Sequence, residues 1–427
     1  MTAARLVLII VAVVAVAYLL HLGFFTFAFY ALVLMLGASW LMGRSALRAI
    51  EHQRVVSRAK ARLGDTVAVT TEVVNDKNLP VLWTLIEDLT PRLLEREGSS
   101  GRAALLKPHE MVRLRYTLKC TNRGYHQIGP LVLESGDIFG LFRRFRTGTT
   151  AHFVTVYPRV VPISRYEIAT RRPIGEVRVT QRLYEDPTRI AGIRDYMRGD
   201  PLNRIHWKAT AKTGQLHSKV YEPSTMVGAN LVLDFNAAAW EGELAFERSE
   251  LAVVAAASIA NYVSQQKQLV GFISNGRDAM DRAQEELEER QAASRRELER
   301  LLAQREQVDR LRPVEVPARK GGANLLEMME TLARLELGQG LSLAQMLAAE
   351  YVRLPRDAAL IIIVPQVPAE LVEMIARLKA TGFVVSVFVI LNREEFIRAQ
   401  ARLSYEGVNV FHIQQERDLD VLARRTI

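Results

Sequence analysis

Hydrophobic and polar positions change their spacing three times along this chain. The first regime has no alternation: no charged residue lies between Arg5 and Arg44. As one helix at about 1.5 Å per residue, this stretch would run about 57 Å, nearly twice a hydrocarbon core of about 30 Å. Two spans fit better, about 6–22 and 24–42, with His21-Leu22-Gly23 as the reversal. Residues 1–43 are therefore expected to form a transmembrane helical hairpin. A signal peptide fits less well, because its apolar region runs about 7–15 residues and ends in a small-residue cleavage site. This stretch instead continues into Trp40-Leu41-Met42.

The second regime, residues 51–160, has period two. Val112, Leu114, Tyr116 and Leu118 alternate with Arg113, Arg115, Thr117 and Lys119, which predicts a half-buried strand over Met111–Lys119. Val67–Val74, Leu131–Leu133 and Phe153–Tyr157 read the same way, and Asn75-Asp76-Lys77-Asn78 is a turn cluster. Short strands separated by Gly, Pro and Asn predict an antiparallel β-sandwich-like domain.

In the third regime, residues 228–427, apolar runs alternate with helical patterns. Strands are expected at Asn230–Asp234, Leu269–Ser274, Ala359–Val364, Val384–Leu391 and Val408–Ile413, and helices near Arg248–Gln265, Leu325–Leu337, Ala369–Lys379 and Arg393–Leu403. Gly382 is placed as a helix C-terminal cap. This alternation predicts an α/β domain with a parallel sheet covered on both faces. A charged block at 278–312 interrupts it and reads as an inserted helical arm. Glu286 and Arg290 lie four apart there, and Leu301 and Val308 seven apart, but Ser294 breaks the coiled-coil stripe. The fold class is thus multidomain α+β: membrane hairpin, β-sandwich-like domain, a linking segment at 161–227, and the α/β domain.

Charge sharpens this picture. Residues 44–62 carry six basic side chains against Glu51, which places this end of the spans, and hence both termini, in the cytoplasm. The same block suits anionic lipid. A lone cysteine, Cys120, fits a reducing compartment and excludes an intrachain disulfide. A second block, 171–219, carries eleven basic and five acidic residues and contains the densest motif of the chain, Arg194 to Lys212.

In that motif Asp200 and Pro201 read as N-cap and first residue of a helix over Pro201–Lys212, stopped at Thr213-Gly214. On such a helix Arg204, Lys208 and Lys212 would form one basic stripe, beside a more apolar face with Leu202, Ile205, His206 and Ala209. Three readings stay open. Arg194, Arg198 and Arg204 can pair with Asp195 and Asp200. The stripe can dock an acidic partner. It can also bind nucleic acid with Trp207 stacking, a reading that ranks last because aromatics are not interleaved through the basic block. A catalytic His206 would need an acid–base partner, and Asp200 lies about 1.7 turns away on another face. None of the eight histidines has metal-ligand spacing. Asp234 and Asn236, at the carboxyl end of the first strand of the α/β domain, offer a carboxylate and an amide where open sheets bind ligands, but Ala238 adds no oxygen. Lys320-Gly321-Gly322 lacks the spacing of a phosphate loop.

The run Arg194-Asp195-Tyr196-x-x-Gly199-Asp200-x-x-x-Arg204-Ile205-His206-Trp207-Lys208-x-Thr210-Ala211-Lys212 resembles the signature of the bacterial domain of unknown function 58 family. Arg123-Gly124-Tyr125-x-x-x-Gly129-Pro130, Asp137-x-Phe139-Gly140-Leu141-Phe142 and Val156-Tyr157-Pro158 resemble the segments that precede it. The resemblance implies a membrane-anchored protein of the bacterial cytoplasmic membrane with a von Willebrand factor type A-like C-terminal domain. It also implies association with a MoxR-type AAA+ ATPase, and so a scaffold or adaptor role in envelope or protein-maturation processes, without catalysis or cofactor. Type A domains that hold a metal use Asp-x-Ser-x-Ser; this chain has Asp234-x-Asn236-x-Ala238 and no Thr at 322–324, a degenerate site. The alternative is an enzyme or anion-binding protein built on Asp200, Arg204 and His206.

Overall fold

The apolar N-terminal stretch builds α1 (Gly23–Ser45), whose segment Phe27–Ser45 is long and apolar enough to cross a membrane. The computed structural model describes residues 15–16, 18, 23–148, 150–166, 185–197, 204–223, 228–291, 312–355 and 358–422. The expected first span, residues 6–22, lies outside them apart from three positions, so the described chain holds one candidate span and not a hairpin. Two compact units follow by contact, Met1–Tyr157 and Pro158–Ile427.

In the first unit α1 turns directly into strand β1 (Ile50–Val56). Lys77 Nζ donates to the carbonyls of Ser45 and Ala46, each at 2.8 Å, which satisfies the last acceptors of the helix. The chain continues through β2 (Lys60–Arg62), β3 (Thr66–Asn75), β4 (Val81–Asp88), β5 (Glu95–Glu97), β6 (Gly101–Leu106) and β7 (Met111–Lys119). Then come β8 (Gly124–Ile128), β9 (Leu131–Gly136), β10 (Arg143–Thr147) and β11 (His152–Tyr157). Antiparallel sheets ordered β1-β3-β7-β5 and β10-β9-β4-β6 share one core. Val73, Val112 and Leu114 from one sheet meet Ile86, Leu106, Leu131 and Leu133 from the other. Strand β7 buries its even positions, as the alternation predicts. A third sheet, β2-β11-β8, is mixed, because β2 runs parallel to β11.

This unit buries one ion pair completely. Arg54 and Asp88 both have fully buried side chains. Asp88 accepts from Arg54 Nε at 3.0 Å and from Nη2, and from Thr71 Oγ1 and Tyr116 OH at 2.8 Å each. Arg54 Nη1 donates to the carbonyls of Ile128 (3.2 Å) and Thr150 (3.1 Å). Gly129 makes room for it: with φ at +91°, a Cβ there would lie 2.5 Å from the guanidinium.

Two histidines flank this pair. The His52 imidazole is pushed below the ordinary histidine range by burial and by the cations of Arg146 and Arg54, against an opposing pull from Asp88. His152 is pushed the same way by burial and Arg54, again opposed by Asp88. A base with a depressed folded pKa binds protons better in the unfolded chain. Stability of this unit is therefore level above about pH 7.5 and falls as pH drops through the unfolded value of about 6.5. Urea midpoints measured from neutral to mildly acidic pH check this. His52→Gln with His152→Gln should flatten the profile, and an unchanged slope in that variant would assign the loss to other groups.

The second unit opens with β12 (Arg165–Tyr166) and a long hairpin, β13 (Glu185–Asp195) and β14 (His217–Pro223), with α2 (Trp207–Thr213) between its strands. It continues through β15 (Gly228–Leu233), α3 (Ala245–Gln265), β16 (Leu269–Ser274), β17 (Arg277–Asp278), α4 (Ala279–Gln291) and β18 (Val314–Arg319). Next are α5 (Gly322–Arg334), β19 (Leu335–Glu336), α6 (Leu343–Glu350), β20 (Ala358–Val364), α7 (Ala369–Ala380), β21 (Val385–Val389), α8 (Arg393–Tyr405), β22 (Asn409–His412) and β23 (Val421–Leu422). The six-stranded sheet is ordered β18-β16-β15-β20-β21-β22. It is mixed rather than parallel, because β18 pairs antiparallel with β16. Pro317, which has no N–H to donate, suits that edge position.

Successive β15 side chains enter different cores. Leu231 and Leu233 pack with α3 and α5, and Val232 packs with α6, α7 and α8 on the other face. Alanines 252, 255, 256, 257 and 260 are fully buried and let α3 lie close to the sheet. Gly382, at φ +100°, follows α7 as its cap. The first part of the charged block is no free arm. Arg282 pairs with Glu336 at 2.7 Å and with Glu286 at 2.6 Å, Arg334 pairs with Asp278 at 3.1 Å, and Ala279 and Ala283 are buried. The stripe at Ser294, Leu301 and Val308 lies outside the described residues.

Candidate functional site

The motif Arg194–Lys212 folds differently from the single helix expected. Ile205 forms an antiparallel bridge with Ser218, and the His206 amide donates to the His217 carbonyl at 2.8 Å, so this stretch is extended where the helix was expected. The helix starts at Trp207, with His206 as its N-cap: the Ala209 amide donates to His206 Nδ1 at 3.0 Å. The pairing with β14 fixes the backbone at 205–206 in a non-helical conformation, so no single helix runs through to Lys212. Gly199, Asp200 and Pro201 lie outside the described residues. Arg204 precedes the helix, so the basic stripe reduces to Lys208 and Lys212, four apart on α2 and both exposed. Gly214, at φ +73°, caps the end as expected.

Sequence reasoning missed His217. Antiparallel pairing sets it opposite Asp195, and its Nδ1 lies 3.2 Å from Asp195 Oδ1. Its Nε2 lies 2.8 Å from Thr213 Oγ1, and its backbone amide donates to Thr210 Oγ1 at 3.1 Å. No spacing rule links 195, 213 and 217; only the hairpin register does. The line Asp195–His217–Thr213 has the atom types of a nucleophile relay but not its setting. Asp195 is 84% exposed, whereas the carboxylate of such a relay is held away from water. Thr213 Oγ1 also donates to the Ala209 carbonyl at 3.1 Å. The Arg194 guanidinium donates to the Asp195 carbonyl at 3.1 Å, and the Tyr196 amide donates to the Leu216 carbonyl at 2.9 Å. Both histidines thus brace α2 against the hairpin. Met197 (66% exposed), Trp207 (67%) and Leu216 (46%) remain at its open end. His206→Ala should fray α2 at a cost of about 1 kcal/mol, the usual cost of losing an N-cap. Hydrogen exchange reads this out as lost protection at the Ala209 amide, and unaltered protection would refute the cap.

The second location is the carboxyl end of β15 and β20, where the strand order reverses and open sheets place ligands. A cleft of about 190 Å³ opens there, lined by Asp234, Asn236, Ser342, Gln366, Pro368 and Glu370 among others. Asp234 and Asn236 are engaged by their neighbours. Asn275 Nδ2 donates to Asp234 Oδ1 (2.9 Å) and to the Leu341 carbonyl (3.0 Å), and its Oδ1 accepts from the Phe235 amide (2.7 Å). Asn236 Nδ2 donates to the carbonyls of Gly340 (2.9 Å) and Leu341 (3.1 Å), and its Oδ1 accepts from Ala238 N (2.9 Å). Burial pushes the Asp234 carboxyl above the usual carboxylate range, against the bonds from Asn275 and Asn236. Asn324 is buried toward the opposite end of the sheet, where it donates to the Val270 carbonyl at 2.7 Å, so it does not line this cleft. This donor set does not fit a hard divalent cation. Asp234 faces amides that bind backbone, Glu370 is the second carboxylate on the lining, and no group of three His, Cys, Asp or Glu stands together among the described residues.

These features define a class: a chain with an apolar N-terminal helix, a β-rich unit, and an α/β unit on a mixed sheet preceded by a histidine-braced hairpin. A family model described as "Protein of unknown function DUF58" matches residues 192–409, and the chain belongs to that family. The "Uncharacterized protein YeaD" of Bacillus subtilis (strain 168) is 26% identical over 221 residues, 50% of this chain and 55% of that protein. The chain thus spans about half the length of that curated relative. Among solved structures, trypsin-activated alpha-2-macroglobulin from Escherichia coli matches 25% of this chain and 7% of its own, at TM-score 0.21 and 18% identity. A FixG-related protein from Vibrio parahaemolyticus matches 26% and 98%, at TM-score 0.19 and 13% identity.

Proposed function

We propose that this protein is a membrane-anchored scaffold of the bacterial cytoplasmic membrane whose signature hairpin docks a protein partner, a MoxR-type AAA+ ATPase. In this reading α1 anchors the chain in the membrane and the folded units lie in the cytoplasm. The exposed basic residues just past α1 support that orientation. The sheet order, with its antiparallel edge strand, supports a von Willebrand type A-like domain.

The observation that carries the docking reading is the division of labour in the hairpin. His206 and His217 are engaged within it, while Trp207, Met197, Leu216, Lys208 and Lys212 face outward. An exposed aromatic with two lysines on the same short helix suits a protein surface of acidic and apolar residues. The same engagement of His206 Nδ1 weighs against a catalytic centre on Asp200, Arg204 and His206.

The test is binding of the full chain in lipid nanodiscs to a purified MoxR-type AAA+ ATPase, measured by biolayer interferometry. Trp207→Ala and the pair Lys208→Glu, Lys212→Glu should each weaken it about tenfold or more. Undiminished binding by both variants would remove the hairpin as the docking surface. No binding by the unaltered chain would remove the ATPase as the partner.

A further inference from the structure

The β9–β10 connection exposes three large apolar side chains within four residues: Ile138 (62%), Phe139 (58%) and Leu141 (53%). The connection is not loose. The Asp137 side chain is buried and accepts from the amides of Phe139 (3.0 Å) and Phe142 (2.6 Å). Burial alone would raise its carboxyl, but the amides of Phe142, Phe139 and Leu141 hold it below the ordinary range, so it stays charged and the turn stays closed. Trp83 Nε1 donates to the Asp137 carbonyl at 3.0 Å from the neighbouring strand. A buried carboxylate and an indole therefore hold apolar side chains out of the core, an arrangement that stability of the unit does not require.

The position of this loop identifies what covers it. Gly43, in the last turn of α1, packs on Phe142: a Cβ there would lie 2.7 Å from Phe142 Cβ and 2.8 Å from its carbonyl oxygen. Arg146, on the strand after the loop, donates to the Leu47 carbonyl at 3.2 Å just past the helix. The candidate span Phe27–Ser45 has 19 residues. At about 1.5 Å each it matches a hydrocarbon core of about 30 Å, so Gly43 falls at the bilayer boundary. Arg44 lies 5.3 Å over the Trp40 ring, the aromatic–cation pairing of an interfacial turn. Arg143 and Arg144 follow the loop, both exposed and suited to anionic headgroups.

We propose that the loop Ile138–Leu141 is a second membrane contact, inserted at the headgroup–acyl boundary of the leaflet in which α1 ends. The proposal rests on the membrane-anchor reading above. It ties the β-rich unit to the bilayer at two points, a helix and a rigid apolar turn, and so restrains its tilt.

The test uses the full chain in vesicles of phosphatidylethanolamine and phosphatidylglycerol. Phe139→Cys, Leu141→Cys and Leu93→Cys are each labelled with an environment-sensitive fluorophore. Cys120 is buried and stays unlabelled in the folded chain. Leu93 is 51% exposed and follows the far end of β4, about 25 Å along that strand from the helix exit. Labels at 139 and 141 should shift to shorter wavelength and lose about half their emission or more to lipid-borne quenchers, with none of this at 93. Labels at 139 and 141 that match the label at 93, on protein that still floats with vesicles, would overturn the proposal and point to a protein cover. Protein that fails to float would instead overturn the anchor reading.

Discussion

Replacing Asp88 by Ala should destabilise the β-rich unit by about 3–5 kcal/mol, because the Arg54 guanidinium would stay buried without its counter-charge. Two hydroxyls, from Thr71 and Tyr116, would lose their acceptor as well. The Tyr116 hydroxyl is itself pushed well above its ordinary range by burial and the Asp88 charge, so it remains a donor. Hydrogen exchange of β3 and β7 amides in the full chain reads this unit separately from the α/β unit, which need not unfold with it. A loss under about 1 kcal/mol would mean that water reaches Arg54. The double variant Arg54→Met, Asp88→Leu should be more stable than Asp88→Ala, since it removes the unpaired charge together with the desolvation cost of the pair.

The second large effect is expected at the strand-end cleft. Asn275→Leu keeps the branched shape but strands the Phe235 amide and leaves Asp234 Oδ1 and the Leu341 carbonyl with only their bonds from Asn236. With one buried orphan costing about 1–3 kcal/mol and two further bonds lost, the α/β unit should lose about 2 kcal/mol. Its β15 and β20 amides should exchange correspondingly faster. If stability holds and only the 338–342 loop exchanges faster, Asn275 positions that loop rather than supporting the sheet.

These effects also mark how far the residues could be read without the fold. Strand β7 and the helices α7 and α8 were legible because each buries one face, and a period of two or 3.6 prints that face into the chain; Leu269–Ser274, buried on both faces, was legible as a short continuous apolar run. The edge strand Val314–Arg319 was not, because an edge strand with one buried position and a proline leaves almost no period. In the motif, Gly214 was legible as a stop, but the break at 205–206 was not. The stop is a local backbone requirement, whereas the break comes from a bridge from Ile205 to Ser218, thirteen positions on. Asp234 and Asn236 could be placed at a strand end, but Asn275, which bonds Asp234 Oδ1, comes from the neighbouring strand's end and carries no motif.

By itself, then, the sequence determined what depends on near neighbours: the apolar span, the alternating strands, the amphipathic helices, the caps, and the motif by which the family is known. Only tertiary structure decided what depends on pairing across the chain. It set His217 between Asp195 and Thr213, closed Asp88 on Arg54, and laid the apolar turn after Asp137 beside the end of α1. Hydrogen bonds and burial act over a few ångströms in space and are indifferent to separation along the chain. Local periodicity can therefore announce a face, but not which distant face will meet it.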